Sequence, residues 1–241
     1  MAADIQAIRR PARNRFYFYA LLCAATVLFA GFARTYFLKG FFPTPSLYPL
    51  LHAHGFFMTA WFLLFGAQTW LVEAHRTDLH RRLGVVGAIL LILILVFGAV
   101  VVTINAREGR VPDAAAAPVI VFLSYANIAM FGAFVATALL LRRRPETHKR
   151  LMLLATLNLL SAAVSRIPLD FIQSGGVMAV FGLLDLFVVL CVAYDMWRHR
   201  RLHPAFAWGA LVTFVWPVLS IAVGGTTAWG RVVAPLIGKA I

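Results

Sequence analysis

Long apolar segments separated by short polar ones dominate the pattern along this chain. Each is close to the roughly 20 residues that an α-helix needs to cross a hydrocarbon layer of about 30 Å. The pattern therefore predicts an all-α integral membrane protein that forms a single membrane domain over 1–241. Seven transmembrane helices are expected, at residues 16–38, 47–72, 83–105, 117–141, 151–172, 175–197 and 204–225.

Lysine and arginine are distributed unequally between the two sides of this topology. One side holds most of the 22: Arg9, Arg10, Arg13, Arg15, Arg76, Arg81, Arg82, Arg142, Arg143, Arg144, Lys149, Arg150, Arg198, Arg200 and Arg201. Because positively charged loops stay in the cytoplasm, we expect a bacterial inner-membrane protein with a cytoplasmic N-terminus, which includes the basic segment 1–15, and a periplasmic C-terminus. Residues 226–241, with Trp229, are expected to lie along the periplasmic interface.

Composition supports the membrane assignment and limits the partners. The chain is 62% hydrophobic and 13% charged, which is more apolar than one soluble core can accommodate. Its net charge of +13 would suggest nucleic acid in a soluble protein. Here the arginines lie in short runs between apolar segments, so the expected partner is a bilayer with anionic headgroups and not nucleic acid. The two cysteines, Cys23 and Cys191, are too few for a disulfide framework and form no CxxC motif.

An internal repeat links the middle helices. A shift of 68 residues places DLHRRL (78–83) on ETHKRL (146–151), and five of the six positions agree in identity or charge class. Each copy spans the end of one predicted helix and the start of the next. We therefore expect helices two and three to be duplicated as helices four and five. The duplicated hairpins would form a four-helix bundle within 47–172, with helices one, six and seven packed around it.

His80 and His148 occupy equivalent positions in the two copies. Small residues follow each at helical spacing, which predicts that both imidazoles face the packing seam at one depth. Such a pair suits bis-histidyl ligation of haem b or binding of another metal ion. Alternatively, the His-Arg-Arg and His-Lys-Arg clusters only anchor helix starts in anionic headgroups, as their position at the rim favours. No separate metal site is predicted.

A second candidate site lies in the outer half. Asp185 falls inside the sixth span, where an ionised carboxylate needs a partner, and Arg166 is the expected one, followed by Arg34 and His54. An outward-facing pocket for a small ligand or a proton would be lined by His54, Gln68, Asn127, Arg166 and Asp185. The alternative is an ion pair that only stabilises packing, and for His54 a hydrogen-bonded structural role.

Three motifs resemble those of a group of uncharacterised bacterial multi-pass membrane proteins. They are HxHG at 52–55, HRRLG at 80–84 and HKRLM at 148–152, and the resemblance covers about residues 31–170. The HKRLM helix start is also distantly similar to that of small membrane proteins implicated in cytochrome oxidase assembly. This resemblance implies a haem-linked or respiratory-chain-linked role.

The motifs that are missing narrow the function. The chain has no nucleophile elbow, phosphate loop or HExxH, so a hydrolase or a phosphoryl-transfer enzyme is not expected. The leading prediction is a membrane protein linked to haem or metal redox chemistry or to respiratory-complex assembly. Two rival predictions remain. The first is a transporter, proton path or ligand sensor built around Asp185 and Arg166. The second is a structural subunit that binds a membrane-protein partner or a second copy of itself.

Overall fold

A computed structural model describes residues 15–111 and 115–237, and the regular elements in these ranges are all helical. The predicted all-α class is therefore confirmed. The predicted basic positions Arg9, Arg10 and Arg13 lie outside the described residues, as does the end of the predicted interfacial segment, 238–241. The α-helices are α1 Phe16–Phe32, α2 Pro49–Glu73, α3 Thr77–Arg107, α4 Ala117–Leu140, α5 Pro145–Asn158, α6 Ser161–Val164, α7 Asp170–His199, α8 Pro204–Gly224 and α9 Thr227–Ile237.

Within the described part of the chain, six helical segments are long and apolar enough to cross a membrane. They coincide with the first, second, third, fourth, sixth and seventh predicted spans, and a π-helical turn at Ala33–Phe37 extends the first. The six segments agree with a membrane location. They are Phe16–Phe37, Pro49–Glu73, Thr77–Arg107, Ala117–Leu140, Asp170–His199 and Pro204–Gly224.

The fifth predicted span, 151–172, is not one continuous helix. Here α5 has 14 residues, and two intervening residues lead into α6, which has only four. Leu159 and Leu160 keep right-handed helical backbone angles, so the chain continues from α5 into α6 without a change of direction into an extended loop. The chain then turns before α7, and Gly176, with φ 53° and ψ −138°, interrupts α7 near its start. Its positive φ is readily adopted only by glycine.

The short helix α5 lies in the interior of the bundle. Its residues from Arg150 to Asn158 are buried except Met152, which is partly buried, so no side of this stretch is left as an exposed polar stripe. A helix that is buried all round must be enclosed by other helices. It packs against α4, α7 and α8. The Trp61 indole of α2 also donates a hydrogen bond to Thr156 Oγ1 at 3.2 Å.

Close backbone approach fixes the position of α6 against α1. A Cβ atom on Gly31 would lie 2.1 Å from the Ala163 carbonyl oxygen, which no side chain could tolerate. Glycine therefore lets these two helices pack directly on one another.

At the same end of the bundle, Trp229 of α9 donates a hydrogen bond to the Pro118 carbonyl oxygen at 2.8 Å, and Val233 is fully buried.

The positively charged connections meet at the opposite end of the molecule, which we call the basic end. It comprises the α2–α3 connection, the α4–α5 connection, the α7–α8 connection and the start of α1. The ring of Phe16 stacks on that of Tyr194 with centroids 4.5 Å apart, and the Lys149 amine lies over the Tyr17 ring. These contacts bring the starts of α1 and α5 and the end of α7 together.

Candidate functional site

The structure brings together the two histidines of the repeat. His80 lies in the first turn of α3 and His148 in the first turn of α5, and both are partly buried at the basic end. Their ring centroids are 6.3 Å apart and their planes are nearly perpendicular, at 88°. We call these two residues the histidine pair. In the described ranges, no group of three or more His, Cys, Asp and Glu side chains is placed to hold a metal, so the pair stands without further such ligands.

Hydrogen bonding determines which nitrogen of His148 is available. Its Nδ1 lies 2.8 Å from the Ala138 carbonyl oxygen. Because a carbonyl oxygen can only accept, Nδ1 carries the hydrogen and Nε2 keeps its lone pair. Metal-binding histidines are commonly oriented in this way, by a carbonyl or carboxylate on the other ring nitrogen.

His80 and Gln68 both have an unsatisfied polar atom in this region. His80 Nδ1 and Gln68 Oε1 are buried and have no hydrogen-bond partner among residues 15–111 and 115–237. The Gln68 amide nitrogen is 3.9 Å from the position that a Cβ atom on Gly84 would take, one turn along α3 from His80. Gln68 thus faces the histidine-bearing end of α3. Since fourteen residues of α2 separate it from His54, a distance of about 21 Å, the predicted pocket containing both is not formed.

His54 and Asn127 lie away from the basic end, in different polar environments. His54 packs against α3 beside Gly98, and its buried Nδ1 has no hydrogen-bond partner in the described part of the chain. The Asn127 side-chain amide donates a hydrogen bond to Ser161 Oγ at 3.2 Å. The backbone carbonyl oxygen of Asn127 accepts a hydrogen bond from the Asn158 side-chain amide at 2.9 Å. These hydrogen bonds link α4 to both sides of the break between α5 and α6. Asn127 therefore supports the interrupted helix.

The expected ion pair between Asp185 and Arg166 is not formed. Arg166 Nη1 donates to the Ala162 carbonyl oxygen at 2.6 Å, and its guanidinium lies over the Phe32 ring, 5.0 Å from the centroid. Asp185 Oδ1 is buried and has no hydrogen-bond partner among the residues that the structure describes. Arg34, the next candidate, lies over the ring of Phe42. Arg166 and Arg34 therefore contact aromatic rings of their own region, not Asp185.

The sequence interpretation missed the buried ion pair that the structure contains. Arg150 of α5 and Asp195 of α7 are only 1% and 2% exposed. Arg150 Nε donates to Asp195 Oδ2 at 3.0 Å, and Arg150 Nη2 donates to Asp195 Oδ1 at 2.6 Å. Two signals could have indicated it: Asp195 lies four residues before His199, and it falls at the same rim as the HKR motif.

Further charged groups extend this pair toward solvent. Arg150 Nη1 donates to both the backbone and the side chain of Glu146, and Lys149 holds the other carboxylate oxygen of Glu146 at 2.7 Å. Partial burial by itself would raise the pKa of Glu146, but hydrogen bonds from Lys149 and Arg150 outweigh it and lower this pKa to about 2. Burial lowers the pKa of His203, and the charge of Arg150 acts in the same direction.

Comparisons with protein-family models, with curated proteins and with solved structures gave no match for this chain. The geometry of the site is therefore the basis for assigning its chemistry.

Proposed function

We propose that this is a bacterial inner-membrane protein whose histidine pair binds haem iron or another imidazole-binding metal ion. Its role would be in redox chemistry or in the assembly of a respiratory complex. The observation that carries the proposal is the 6.3 Å separation of the two rings. Two imidazoles that would hold one metal through bonds of about 2 Å need ring centres no more than roughly 6 Å apart.

The hydrogen bonds around the pair support the same assignment. His148 keeps the Nε2 lone pair that a metal requires, because its Nδ1 hydrogen is directed to the Ala138 carbonyl oxygen. Within the described ranges, Nδ1 of His80 and Oε1 of Gln68 are buried polar atoms without a hydrogen-bond partner. A buried polar atom of this kind is unfavourable by itself, and a bound group would satisfy it.

The proposal is tested on the full-length protein purified in a mild detergent. We expect a haem absorption band in the visible spectrum, or about one metal ion per chain by elemental analysis. His80→Gln and His148→Gln should each remove that signal while the helical circular dichroism is retained. The matched control is His52→Gln, because His52 is exposed and lies near the start of α2, at the end of the molecule away from the histidine pair. A colourless and metal-free wild-type protein, or an equal loss in the control, would overturn the proposal.

We further propose that the chain crosses the membrane seven times, with α5 and α6 together forming the fifth crossing. The central position of α5 and the continuous right-handed path through Leu159 and Leu160 support this topology. A break in a helix is tolerated at membrane depth when surrounding helices satisfy its polar groups, as Asn127 does here. The histidine pair and the basic end would then face the cytoplasm, following the positive-inside rule.

Labelling of single cysteines in a background without Cys23 and Cys191 tests this topology. Cysteine at Arg143 should react with a membrane-impermeant reagent only after cells are opened. Gly40→Cys, in the connection between α1 and α2, should react with the same reagent in intact cells. Reaction of both positions from the same side would contradict the orientation.

The duplicated hairpin is also proposed as the origin of α2–α3 and α4–α5. Equivalent placement of His80 and His148 at the starts of α3 and α5 supports it. The copies differ in that α3 is one helix of 31 residues, whereas α5 ends after 14.

A transporter, proton path or ligand sensor is the second candidate function, favoured by buried side-chain atoms of the outer half that have no hydrogen-bond partner among the described residues. They include His54 Nδ1, Asn127 Oδ1 and Asp185 Oδ1. Under this alternative, Asp185→Asn should abolish proton-coupled uptake in reconstituted vesicles but leave the spectrum of the histidine pair unchanged. Uptake that is unchanged in Asp185→Asn, or absent from vesicles with the wild-type protein, would argue against this alternative.

A further inference from the structure

A cavity of about 200 Å³ opens at the basic end, separate from the histidine pair. It is bounded by the start of α5, the end of α7 and the connection to α8. A water molecule occupies about 30 Å³ of liquid volume, so the cavity has room for roughly six waters or for one tetrahedral anion with a few waters. Its lining consists of Glu146, Arg150, His199, Arg201 and His203.

The two carboxylates beside the cavity are already paired with cations. Both oxygens of Asp195 accept hydrogen bonds from Arg150. The two oxygens of Glu146 accept one hydrogen bond each, from Lys149 and from Arg150. These negative charges are therefore compensated before any ligand binds.

The histidines present nitrogen atoms that have no partner within the described residues. His203 Nδ1 accepts a hydrogen bond from the Ala205 backbone N–H at 3.1 Å, so in the neutral ring the hydrogen is on Nε2, which can donate. His199 Nδ1 lies 3.0 Å from the Asp195 carbonyl oxygen and 3.2 Å from Oδ1. Both oxygens accept, so Nδ1 carries the hydrogen and Nε2 of His199 is left without a partner among the described residues.

An unusual backbone turn directs Arg201 to the same cavity. Arg200 ends α7 in the left-handed conformation, with φ 56°. A non-glycine residue there is uncommon and strained, and such positions often mark functional sites. In the ranges 15–111 and 115–237, the Arg201 side chain makes no hydrogen bond or ion pair, so its guanidinium is available to a ligand.

We propose that this cavity binds a phosphate group, carried either by an anionic lipid headgroup of the inner leaflet or by a free phosphate. Arg201 and the His203 Nε2–H donate to its oxygens, and the buried Arg150–Asp195 pair holds the surrounding helices in place. Guanidinium and imidazole donors match phosphate oxygens in charge and geometry. The basic end would lie at the depth of phospholipid headgroups in the proposed topology. This site is independent of metal binding at the histidine pair.

The test uses full-length protein in nanodiscs of phosphatidylcholine, with two probes. Inorganic phosphate is titrated by calorimetry, and phosphatidylglycerol is added to the nanodiscs and counted by native mass spectrometry. Arg201→Gln and His203→Asn should each weaken binding of the effective probe about tenfold, the loss of roughly one charge-assisted hydrogen bond. Asparagine at position 203 can still accept from Ala205 N–H and so keeps the start of α8.

The matched control is Arg143→Gln, which removes one charge from an exposed residue of the same end outside the cavity. It should change affinity less than about twofold. Binding of inorganic phosphate identifies a free phosphate as the ligand source, and retention of phosphatidylglycerol alone identifies the lipid headgroup. The proposal is overturned if neither probe binds the wild-type protein. It is equally overturned if the control loses as much affinity as the two cavity variants.

Discussion

Arg150 and Asp195 are joined by two parallel hydrogen bonds, Nε to Oδ2 at 3.0 Å and Nη2 to Oδ1 at 2.6 Å, in an interior where both are almost fully buried. The pair links the central helix α5 to α7. A buried ion pair contributes little over well-packed apolar residues, but removal of one partner leaves an uncompensated charge. The two residues therefore depend on one another.

Replacement of one member of this pair should destabilise the protein strongly. We expect Asp195→Asn to reduce the free energy of unfolding by about 3–5 kcal/mol, because the buried Arg150 guanidinium loses its buried counter-charge and keeps only the exposed carboxylate of Glu146. The double variant Arg150→Met with Asp195→Leu should be more stable than Asp195→Asn. Both free energies of unfolding are measured in detergent, with circular dichroism as the signal. Asp78→Asn is the control, since Asp78 and Arg76 form an exposed pair at 3.7 Å, and its effect should stay below about 1 kcal/mol.

The contact between Trp61 and Thr156 should behave as a coupled pair. Thr156→Val leaves the indole N–H buried without an acceptor, which costs about 1–3 kcal/mol. Trp61→Phe removes the donor as well as part of a buried side chain. The effect of the double variant should therefore be smaller than the sum of the two single effects, as measured in a double-mutant cycle. Strict additivity would show that the hydrogen bond at 3.2 Å does not contribute.

The contact between α1 and α6 requires a glycine at position 31. In Gly31→Ala the new methyl group would overlap the backbone of Ala163, so we expect the two helices to separate and the free energy of unfolding to fall by about 1–3 kcal/mol. Gly182→Ala is the matched control, because a Cβ atom there meets nothing within 4 Å. The control should leave stability unchanged or raise it by up to about 1 kcal/mol. A similar loss in both variants would argue against the close contact.

Glu146 should make stability depend on pH in the acid range. Its pKa is lowered to about 2 in the folded protein by hydrogen bonds from Lys149 and Arg150, which outweigh the opposing effect of burial. A lowered pKa means that the unfolded state binds the proton more readily, so the contribution is complete above the ordinary value near 4.5 and disappears as the pH falls toward 2. Unfolding midpoints of wild type and Glu146→Gln, measured from pH 7 to pH 2, should therefore converge on acidification. Parallel curves would contradict this role of Glu146.

Much of the architecture follows from local pattern. The apolar segments predict helices because a backbone in lipid must satisfy its own hydrogen bonds, and six of the seven expected spans coincide with helices that are long and apolar enough to cross a membrane. The shift of 68 residues also aligns His80 with His148, and each lies in the first turn of its helix. Segment length and hydropathy are properties of neighbouring residues, so they can be interpreted without knowing which helices touch.

Only the tertiary structure decided which polar groups meet. Asp185 and Asp195 lie in the same helix, and the costs of burying either carboxylate are alike, so hydropathy favoured the more central Asp185 as a site. The packing instead gives Asp195 the guanidinium of Arg150, places Gln68 toward His80's end of α3, and divides the fifth predicted span around Asn127. Such pairings depend on the order and rotation of packed helices, and these are set by long-range contacts such as Gly31 against Ala163, which no local pattern encodes.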